Sequence, residues 1–174
     1  MRGSSNQSQA VFGPVPSRRL GMSLGLDLVL PKTCSLDCVY CELGPTTDLT
    51  SQRAVYRDPE QILAELAQRL DELESPPDFI TLAGSGEPTL HSELGAILRR
   101  VRDLTPARRA VLTNATLVGD PRVRAALCEA DLLVPSLDAV SEAAFRRVNR
   151  PARGLTAAAM RAGLIALRRE FLGE

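Results

Sequence analysis

Residues 33–41 read TCSLDCVYC, and this stretch decides how the rest of the chain is interpreted. It contains three of the four cysteines, Cys34, Cys38 and Cys41, whereas Cys128 lies far along the sequence. Reduced thiols that cluster in this way indicate metal or redox chemistry rather than a disulfide framework. No apolar run reaches the length of a membrane span, and the polar N-terminus lacks the apolar segment of a signal peptide. We therefore expect a cytoplasmic protein that does not enter a membrane.

Strands and helices alternate on both sides of this stretch. We predict four strands, at residues 23–30, 78–84, 108–114 and 131–138. We predict helices capped by Asp58, Ser92 and Asp120, followed by helices at 142–149 and 157–172 that are capped by Ser141 and Thr156. Strands joined by helical crossovers run parallel, with the helices on the outer face. With 174 residues, 44% of them apolar, we expect one α/β domain over residues 11–174, preceded by a disordered arm at residues 1–10.

Polar residues follow each predicted strand at its carboxyl end. They are the cysteine cluster, then Gly84 to Glu87, then Thr113 and Asn114, and finally Ser136 and Asp138. In parallel sheets and barrels, ligands bind at this edge. We therefore expect these residues to face one rim and to form one site.

The three cysteines leave two kinds of metal centre to consider. A closed zinc site needs four ligands, and Cys128 or His91 could supply the fourth. A cubane iron–sulfur cluster has four irons, so three thiolates would leave one iron open for chemistry. We expect Cys128 to pack in the core, because it lies in the apolar phase of the third helix beside Leu127. His91 begins the second helix near the same rim, so a zinc site that uses it stays open.

The motifs resemble those of the radical S-adenosylmethionine (SAM) superfamily. The pattern CxxxCxxC after the first strand is similar to its cluster-binding loop, and Tyr40 stands where the superfamily usually has an aromatic residue beside the adenine. The sequence GSGEPTLH after the second strand resembles its GGEP motif, with Ser85 in place of the first glycine. The lead-in FGPVPSRRLGMSLGLD resembles a subgroup of iron–sulfur oxidoreductases related to wyosine-tRNA synthases.

This resemblance implies two cofactors and a set of residues for each. A [4Fe–4S] cluster would be held by Cys34, Cys38 and Cys41. The amino group of SAM would be bound by Ser85, Gly86, Glu87 and Pro88, and its carboxylate or ribose by Asn114, Ser136 and Asp138. An external one-electron donor of the flavodoxin or ferredoxin type would reduce the cluster. Cleavage of SAM would then produce a 5′-deoxyadenosyl radical that takes a hydrogen atom from the substrate, with tRNA modification as one candidate reaction.

The superfamily core is usually a partial barrel of six β/α units, and we predict only about four here. We expect a radical-SAM-type partial barrel that is truncated at its C-terminus or is completed by another chain. The strand at 131–138 would then have no neighbour in the chain beyond it. The face that would line the barrel, with Leu132 and Val134, would contact solvent. We therefore expect one of two outcomes: the chain self-associates through this open side, or it is a fragment whose natural continuation supplies strands five and six.

Two other classes of function compete with an enzyme. A metal-stabilised RNA-binding module without SAM chemistry is indicated by the arginines of LRRVRDLTPARR and of residues 141–174. Against it, charge runs on helices are usually solvated faces, and only 3% of the residues are aromatic and able to stack on bases. An electron-transfer protein would need four protein ligands to its cluster, and this motif offers three.

Overall fold

Seven strands and five helices make up residues 9–174, the part of the chain that this computed structural model describes. The strands are β1 (Val11–Ser17), β2 (Gly21–Leu26), β3 (Thr33–Cys34), β4 (Asp48–Leu49), β5 (Phe79–Leu82), β6 (Arg108–Thr113) and β7 (Leu132–Pro135). The helices are α1 (Pro59–Asp71), α2 (Leu94–Leu104), α3 (Pro121–Leu127), α4 (Glu142–Ala144) and α5 (Ala157–Glu170). A 3₁₀ turn spans Pro88–Leu90, and a π-helical turn at Phe145–Asn149 continues α4.

The main sheet has the order β1-β2-β5-β6-β7, and β3 forms a separate two-stranded ladder with β4. Strands β2, β5, β6 and β7 run parallel, and α1, α2 and α3 lie in the connections between them. The predicted α/β class with a mostly parallel sheet is therefore confirmed, and each predicted strand overlaps an observed one. The first of them ends at Leu26 rather than at residue 30. The number of β/α units in the domain stays a prediction.

Strand β1 was not predicted, and it pairs antiparallel with β2 at one edge of the sheet. Its sequence, VFGPVPS, contains two prolines, which argue against a central strand but are tolerated at an edge. Its register shifts between Phe12 and Val15. The ring of Phe12 lies over Gly25 so closely that a Cβ atom there would be 2.1 Å from the ring. Gly25 therefore makes room for the side chain that covers this end of the sheet.

The opposite edge of the sheet is β7, and the described residues place no further strand beyond it, as predicted. A single residue, Glu174, nevertheless pairs with its outer side, which the prediction did not include. The backbone N–H of Glu174 donates to the carbonyl of Asp131 at 3.1 Å, and the N–H of Leu133 donates to the carbonyl of Glu174 at 3.0 Å. Two such bonds on either side of one residue are the pattern of parallel strand pairing. Leu132 and Val134 are half-buried.

The helix caps follow the predictions at four of five positions. The side chain accepts a hydrogen bond from the first turn at Asp58, Asp120, Ser141 and Thr156. Ser92 does not cap α2, which begins at Leu94 after Glu93 and has no side-chain cap. The predicted helix at 142–149 has only one short α-helical turn, and its remainder is the π-helical turn that places Asn149.

The core lies mainly between the sheet and its helices. Buried side chains of the parallel strands, such as Leu26, Ile80 and Val111, belong to one cluster with Leu66 of α1 and Leu98 of α2. A smaller cluster of Leu20, Phe79 and Ala110 is separate from it, and the half-buried Leu112 and Leu132 pack against this cluster. The helices therefore cover one face of the sheet much more fully than the other.

The N-terminal boundary of the fold lies at or before Ala10. This residue is buried, its N–H donates to Glu65 Oε2 at 2.8 Å, and its carbonyl accepts from the N–H of Asp27 at 2.8 Å. The rest of the arm expected at residues 1–10 lies outside the described residues, apart from Gln9, which is exposed. Among the described helices, none is long and apolar enough to cross a membrane.

Candidate functional site

The cysteine stretch lies against the carboxyl ends of the parallel strands. The backbone N–H of Lys32 donates to the carbonyl of Ser85 at 3.0 Å, which joins the stretch to the turn after β5. The side chain of Asn114, which follows β6, donates to Ser35 Oγ at 2.9 Å. The hydroxyl of Tyr40 donates to the carboxylate of Asp138, which follows β7. The structure therefore brings residues from four strand ends to one rim.

Each cysteine sulfur of the motif lies within hydrogen-bonding distance of a different side-chain donor. Asn114 Nδ2 is 3.6 Å from Cys34 Sγ, and Lys32 Nζ is 3.1 Å from Cys41 Sγ. Asn149 Nδ2 is 3.4 Å from Cys38 Sγ. All three thiols are half-buried and unpaired. The thiolate is the form of cysteine that binds a metal, and N–H donors at these distances can form hydrogen bonds to it.

Cys34 lies in surroundings that disfavour its thiolate form. Burial raises the pKa of its thiol to about 11, and the nearby Glu87 and Cys38 add to that shift. A thiol in such a place is neutral at pH 7 unless a positive charge stabilises its anion. A metal ion or an iron–sulfur cluster supplies that charge, because a coordinating thiol is deprotonated outright.

The turn after β5 approaches the cysteine stretch very closely at Gly86. A Cβ atom on this residue would lie 2.0 Å from the carbonyl oxygen of Thr33, so only glycine fits. The backbone N–H of Glu87 donates to that same carbonyl at 3.1 Å. Ser85 is fixed from its other side, because Asp27 Oδ2 accepts from its N–H at 2.9 Å and from its hydroxyl at 2.5 Å. The main chain of this turn is thus held against the cysteines.

Glu87 has a buried carboxylate that is occupied within the protein. Its oxygens accept hydrogen bonds from the N–H and hydroxyl of Thr89 at 3.0 and 2.6 Å, from the hydroxyl of Thr113 at 2.6 Å and from the N–H of Asn114 at 2.8 Å. Burial raises the pKa of this carboxyl, and the hydrogen bonds oppose that shift. The side chain of Glu87 therefore ties the turn after β5 to the end of β6.

Tyr40, Asp138 and Asn149 form a connected group beside Cys38. The Tyr40 ring is half-exposed, whereas Asn149 is buried. Asn149 Nδ2 lies 3.1 Å from the Tyr40 hydroxyl and 3.4 Å from Asp138 Oδ2. Partial burial and the hydrogen bond to Asp138 raise the pKa of Tyr40, so its hydroxyl keeps its proton. Ser136 is exposed at the end of β7, where its N–H donates to the carbonyl of Thr113 at 2.9 Å.

His91 is a structural residue here rather than a metal ligand. It is fully buried, with Nε2 2.9 Å from the carbonyl of Arg57 and Nδ1 accepting from the N–H of Glu93 at 3.2 Å. Both ring nitrogens are therefore engaged. Cys128 is exposed at the end of α3, so the prediction that it packs in the core is wrong. Within residues 9–174, no three His, Cys, Asp or Glu side chains are grouped closely enough to hold a single metal ion.

Sequence reasoning missed three residues of this rim. Asp27 supports Ser85, and Lys32 and Asn149 donate to cysteine sulfurs. Lys32 carried a weak signal, because it is the only lysine of the chain and stands two residues before Cys34. Asn149 carried none, since its partner Cys38 is 111 residues away in the sequence.

Comparison with known proteins agrees with this geometry. A family model described as the radical SAM superfamily matches residues 28–172. A UPF0026 protein of Synechocystis is 43% identical over 95% of this chain and 62% of its own length. A UPF0026 protein of Methanocaldococcus jannaschii is 38% identical over 94% of this chain and 51% of its own length.

A further relative extends well beyond the region that it shares with this chain. The GTPase Obg of Brachyspira hyodysenteriae is 39% identical over 98% of this chain, which corresponds to 25% of that protein. The chain thus spans between a quarter and about three-fifths of these curated relatives. Since the family model covers most of the chain, this protein belongs to the radical SAM superfamily.

Proposed function

We propose that this chain is the cofactor-binding part of a radical SAM enzyme. Members of the superfamily normally bind a [4Fe–4S] cluster and SAM, and the rim described above has the donor set that such a cluster needs. The observation that carries the proposal is the placement of Cys34, Cys38 and Cys41 at the strand ends, each beside an N–H donor. Three thiolates on a four-iron cluster leave one iron without a protein ligand.

When bound, such a cluster would supply one electron that cleaves SAM to methionine and a 5′-deoxyadenosyl radical. This radical would abstract a hydrogen atom from the substrate. The work of the chain is to bind and orient. The backbone of residues 85–88 is held against the cysteine stretch by the close contact at Gly86. Three backbone carbonyls of this turn already accept a hydrogen bond, from the N–H groups of Lys32, Leu90 and His91. Each carbonyl oxygen has a second lone pair that could accept from an ammonium group, which donates three hydrogen bonds.

Asn114 contacts the cysteine stretch at Ser35, and Asp138 contacts it at Tyr40. The resemblance implies that both residues bind the carboxylate or the ribose of SAM. Asn114 is oriented by its own contacts, because its Oδ1 accepts from the N–H and hydroxyl of Thr116 at 3.0 and 2.8 Å. Its amide N–H groups therefore point towards the cysteines. Asp138 is held by Tyr40 and can accept from a ribose hydroxyl through its other oxygen.

The rival class, an RNA-binding module, is less well supported by the charges of the structure. All five arginines of residues 98–109 form ion pairs with acidic side chains: Arg99 and Arg102 with Glu129, Arg100 with Glu60, Arg108 with Glu174, and Arg109 with Asp131. A phosphate group would have to compete with these carboxylates for the arginines. We therefore favour the enzyme.

We extend the proposal to the electron donor and the substrate of the whole protein. A cluster of this kind needs an external one-electron donor, of the flavodoxin or ferredoxin type, and we place the reaction in the cytoplasm. For the substrate, the resemblance of the N-terminal segment to wyosine-tRNA synthase relatives supports a tRNA and an oxidoreductase-type modification. This support comes from family likeness and not from the rim itself.

Anaerobic reconstitution with iron and sulfide tests the proposal. We expect about four irons per chain and a visible absorbance that oxygen bleaches. Alanine at Cys34, Cys38 or Cys41 should abolish both, whereas Cys128→Ala, at the exposed end of α3, is the matched control and should keep them. With dithionite and SAM, the loaded protein should release 5′-deoxyadenosine. Stoichiometric zinc in place of iron, with no cluster formed, would reject the enzyme.

A further inference from the structure

We infer that Lys32 and Asn149 raise the reduction potential of the cluster by donating to two of its three cysteine sulfurs. This inference rests on the proposed function, because it requires the cluster to be held by the three cysteines. Neither residue belongs to the cysteine motif or to the turn after β5. Lys32 Nζ lies 3.1 Å from Cys41 Sγ, and Asn149 Nδ2 lies 3.4 Å from Cys38 Sγ.

Lys32 is fixed in an unusual backbone conformation that aims its side chain. Its φ angle is 61°, in the left-handed region that a lysine seldom adopts. The surrounding hydrogen bonds impose this conformation: its N–H donates to Ser85, and its carbonyl accepts from Thr47 and Asp48 at 3.2 and 3.1 Å. Strain of this kind persists only where neighbouring contacts over-determine it, and it is concentrated at functional sites.

Asn149 is fixed just as firmly by the segment that carries it. The carbonyl of Asn149 accepts from the N–H of Asp37 at 3.0 Å, and the carbonyl of Val148 accepts from the N–H of Val39 at 2.9 Å. The π-helical turn is therefore clamped along the cysteine stretch on both sides of Cys38. The buried amide at its end has little room to turn away from the sulfur.

The physical effect of these donors follows from charge. Reduction from the 2+ to the 1+ state adds one electron, supplied by dithionite in the experiment below, and part of the added negative charge falls on the cysteine sulfurs. Hydrogen bonds to those sulfurs stabilise the reduced state and raise the potential. An ammonium group carries a full positive charge in a half-buried place, so Lys32 should have a larger effect than the neutral amide of Asn149.

A redox titration of the reconstituted protein, followed by electron paramagnetic resonance of the reduced cluster, tests the inference. At a fixed solution potential, we expect Lys32→Met to lower the ratio of reduced to oxidised cluster about tenfold, equivalent to about 59 mV for a one-electron couple. Lys32→Arg keeps the charge and should stay within about twofold of the wild type. Asn149→Leu should lower the ratio about threefold, since it loses a neutral donor.

Two controls separate this inference from its alternatives. Arg100→Met removes a positive charge from the surface of α2 and should leave the ratio unchanged. Iron content separates the two proposals: no cluster in the wild type would reject the proposed function, whereas a loaded Lys32→Met protein with an unchanged ratio would reject only this inference. If Lys32→Met cannot be loaded, the comparison of Lys32→Gln with Lys32→Arg decides, and equal ratios in those two variants would overturn the inference.

Discussion

The carboxylate of Glu87 accepts a 2.8 Å hydrogen bond from the backbone N–H of Asn114, and this bond couples the turn after β5 to the end of β6. The same carboxylate accepts from Thr89 and Thr113. One buried side chain thus sets the spacing between the turn expected to bind SAM and the asparagine that reaches Cys34. Glu87 belongs to the motif expected to bind SAM, but its side chain holds the turn and the end of β6 in place instead of facing the ligand.

Glu87→Gln should destabilise the fold, because an amide NH₂ group would replace an oxygen that now accepts hydrogen bonds. Leaving buried donors without an acceptor costs about 1–3 kcal/mol in the free energy of unfolding. Urea unfolding of the apoprotein measures this cost. Glu74→Gln, at an exposed position after α1, is the control and should change little. Equal stability of both variants would contradict the structural role of the Glu87 carboxylate.

Gly86→Val should weaken SAM binding while iron loading is retained. A Cβ atom at this position would collide with the carbonyl of Thr33, so the turn must move away from the cysteine stretch. A displacement of this kind costs about 1–3 kcal/mol, which corresponds to roughly a 5- to 150-fold loss of affinity. Equilibrium dialysis of the reconstituted protein with SAM measures it. Gly119→Ala is the matched control, since the nearest atom to its new Cβ would be 3.9 Å away.

Tyr40→Phe should loosen the group of side chains beside Cys38. The phenol donates to Asp138 and accepts from Asn149, and phenylalanine keeps the ring but loses both contacts. We expect SAM affinity to change by less than in Gly86→Val, because the ring that would pack on the adenine remains. Tyr40→Ala, which removes that ring, should have the larger effect of the two Tyr40 variants. Equal SAM affinity of Tyr40→Ala and wild type would argue against a contact between this ring and the adenine.

The stability of the apoprotein should fall as the pH is lowered through the range where histidine titrates. Burial lowers the pKa of His91 in the folded chain below its ordinary value of about 6.5. Below about pH 6.5 the unfolded chain binds a proton that the folded chain does not, so stability is lost as the pH falls towards the folded-state pKa. His91 is the only histidine of the chain, so His91→Gln should flatten this dependence in urea unfolding between about pH 7.5 and 5.5. If the unfolding free energy of His91→Gln still depends on pH as in the wild type, groups other than His91 cause the dependence.

The purified chain should associate through the edge of β7 and the less covered face beside it. Leu132 and Val134 are half-buried there. Among the described residues, Glu174 alone forms backbone hydrogen bonds with the outer side of β7. Open strand edges recruit further strands, and a charge on such an edge suppresses this pairing. Light scattering should therefore show a mass that rises with concentration, and Val134→Lys should reduce it. A monomer at all concentrations would show that the existing contacts suffice to protect this edge.

The sequence alone determined those features that depend on neighbours along the chain. Strand–helix alternation follows from the spacing of apolar residues, and the caps at Asp58 and Asp120 follow from local hydrogen bonding. The sequence also shows that the cysteines and Gly86 follow predicted strands. Because the carboxyl ends of parallel strands lie at one edge of a sheet, these positions predict a single rim. Ser92 failed as a cap because a short polar residue near a helix start permits capping without requiring it.

Only the tertiary structure decided which distant groups meet at that rim. The pairing of β1 with β2 depends on how the chain turns back at residues 18–20. The two prolines of β1 argue against a strand when the sequence is considered alone. The contacts of Asn149 with Cys38 and of Glu87 with Asn114 join loops that follow different elements. A hydrogen bond is short and directional, so it forms only where the packing of helices on the sheet has already fixed the ends of those loops.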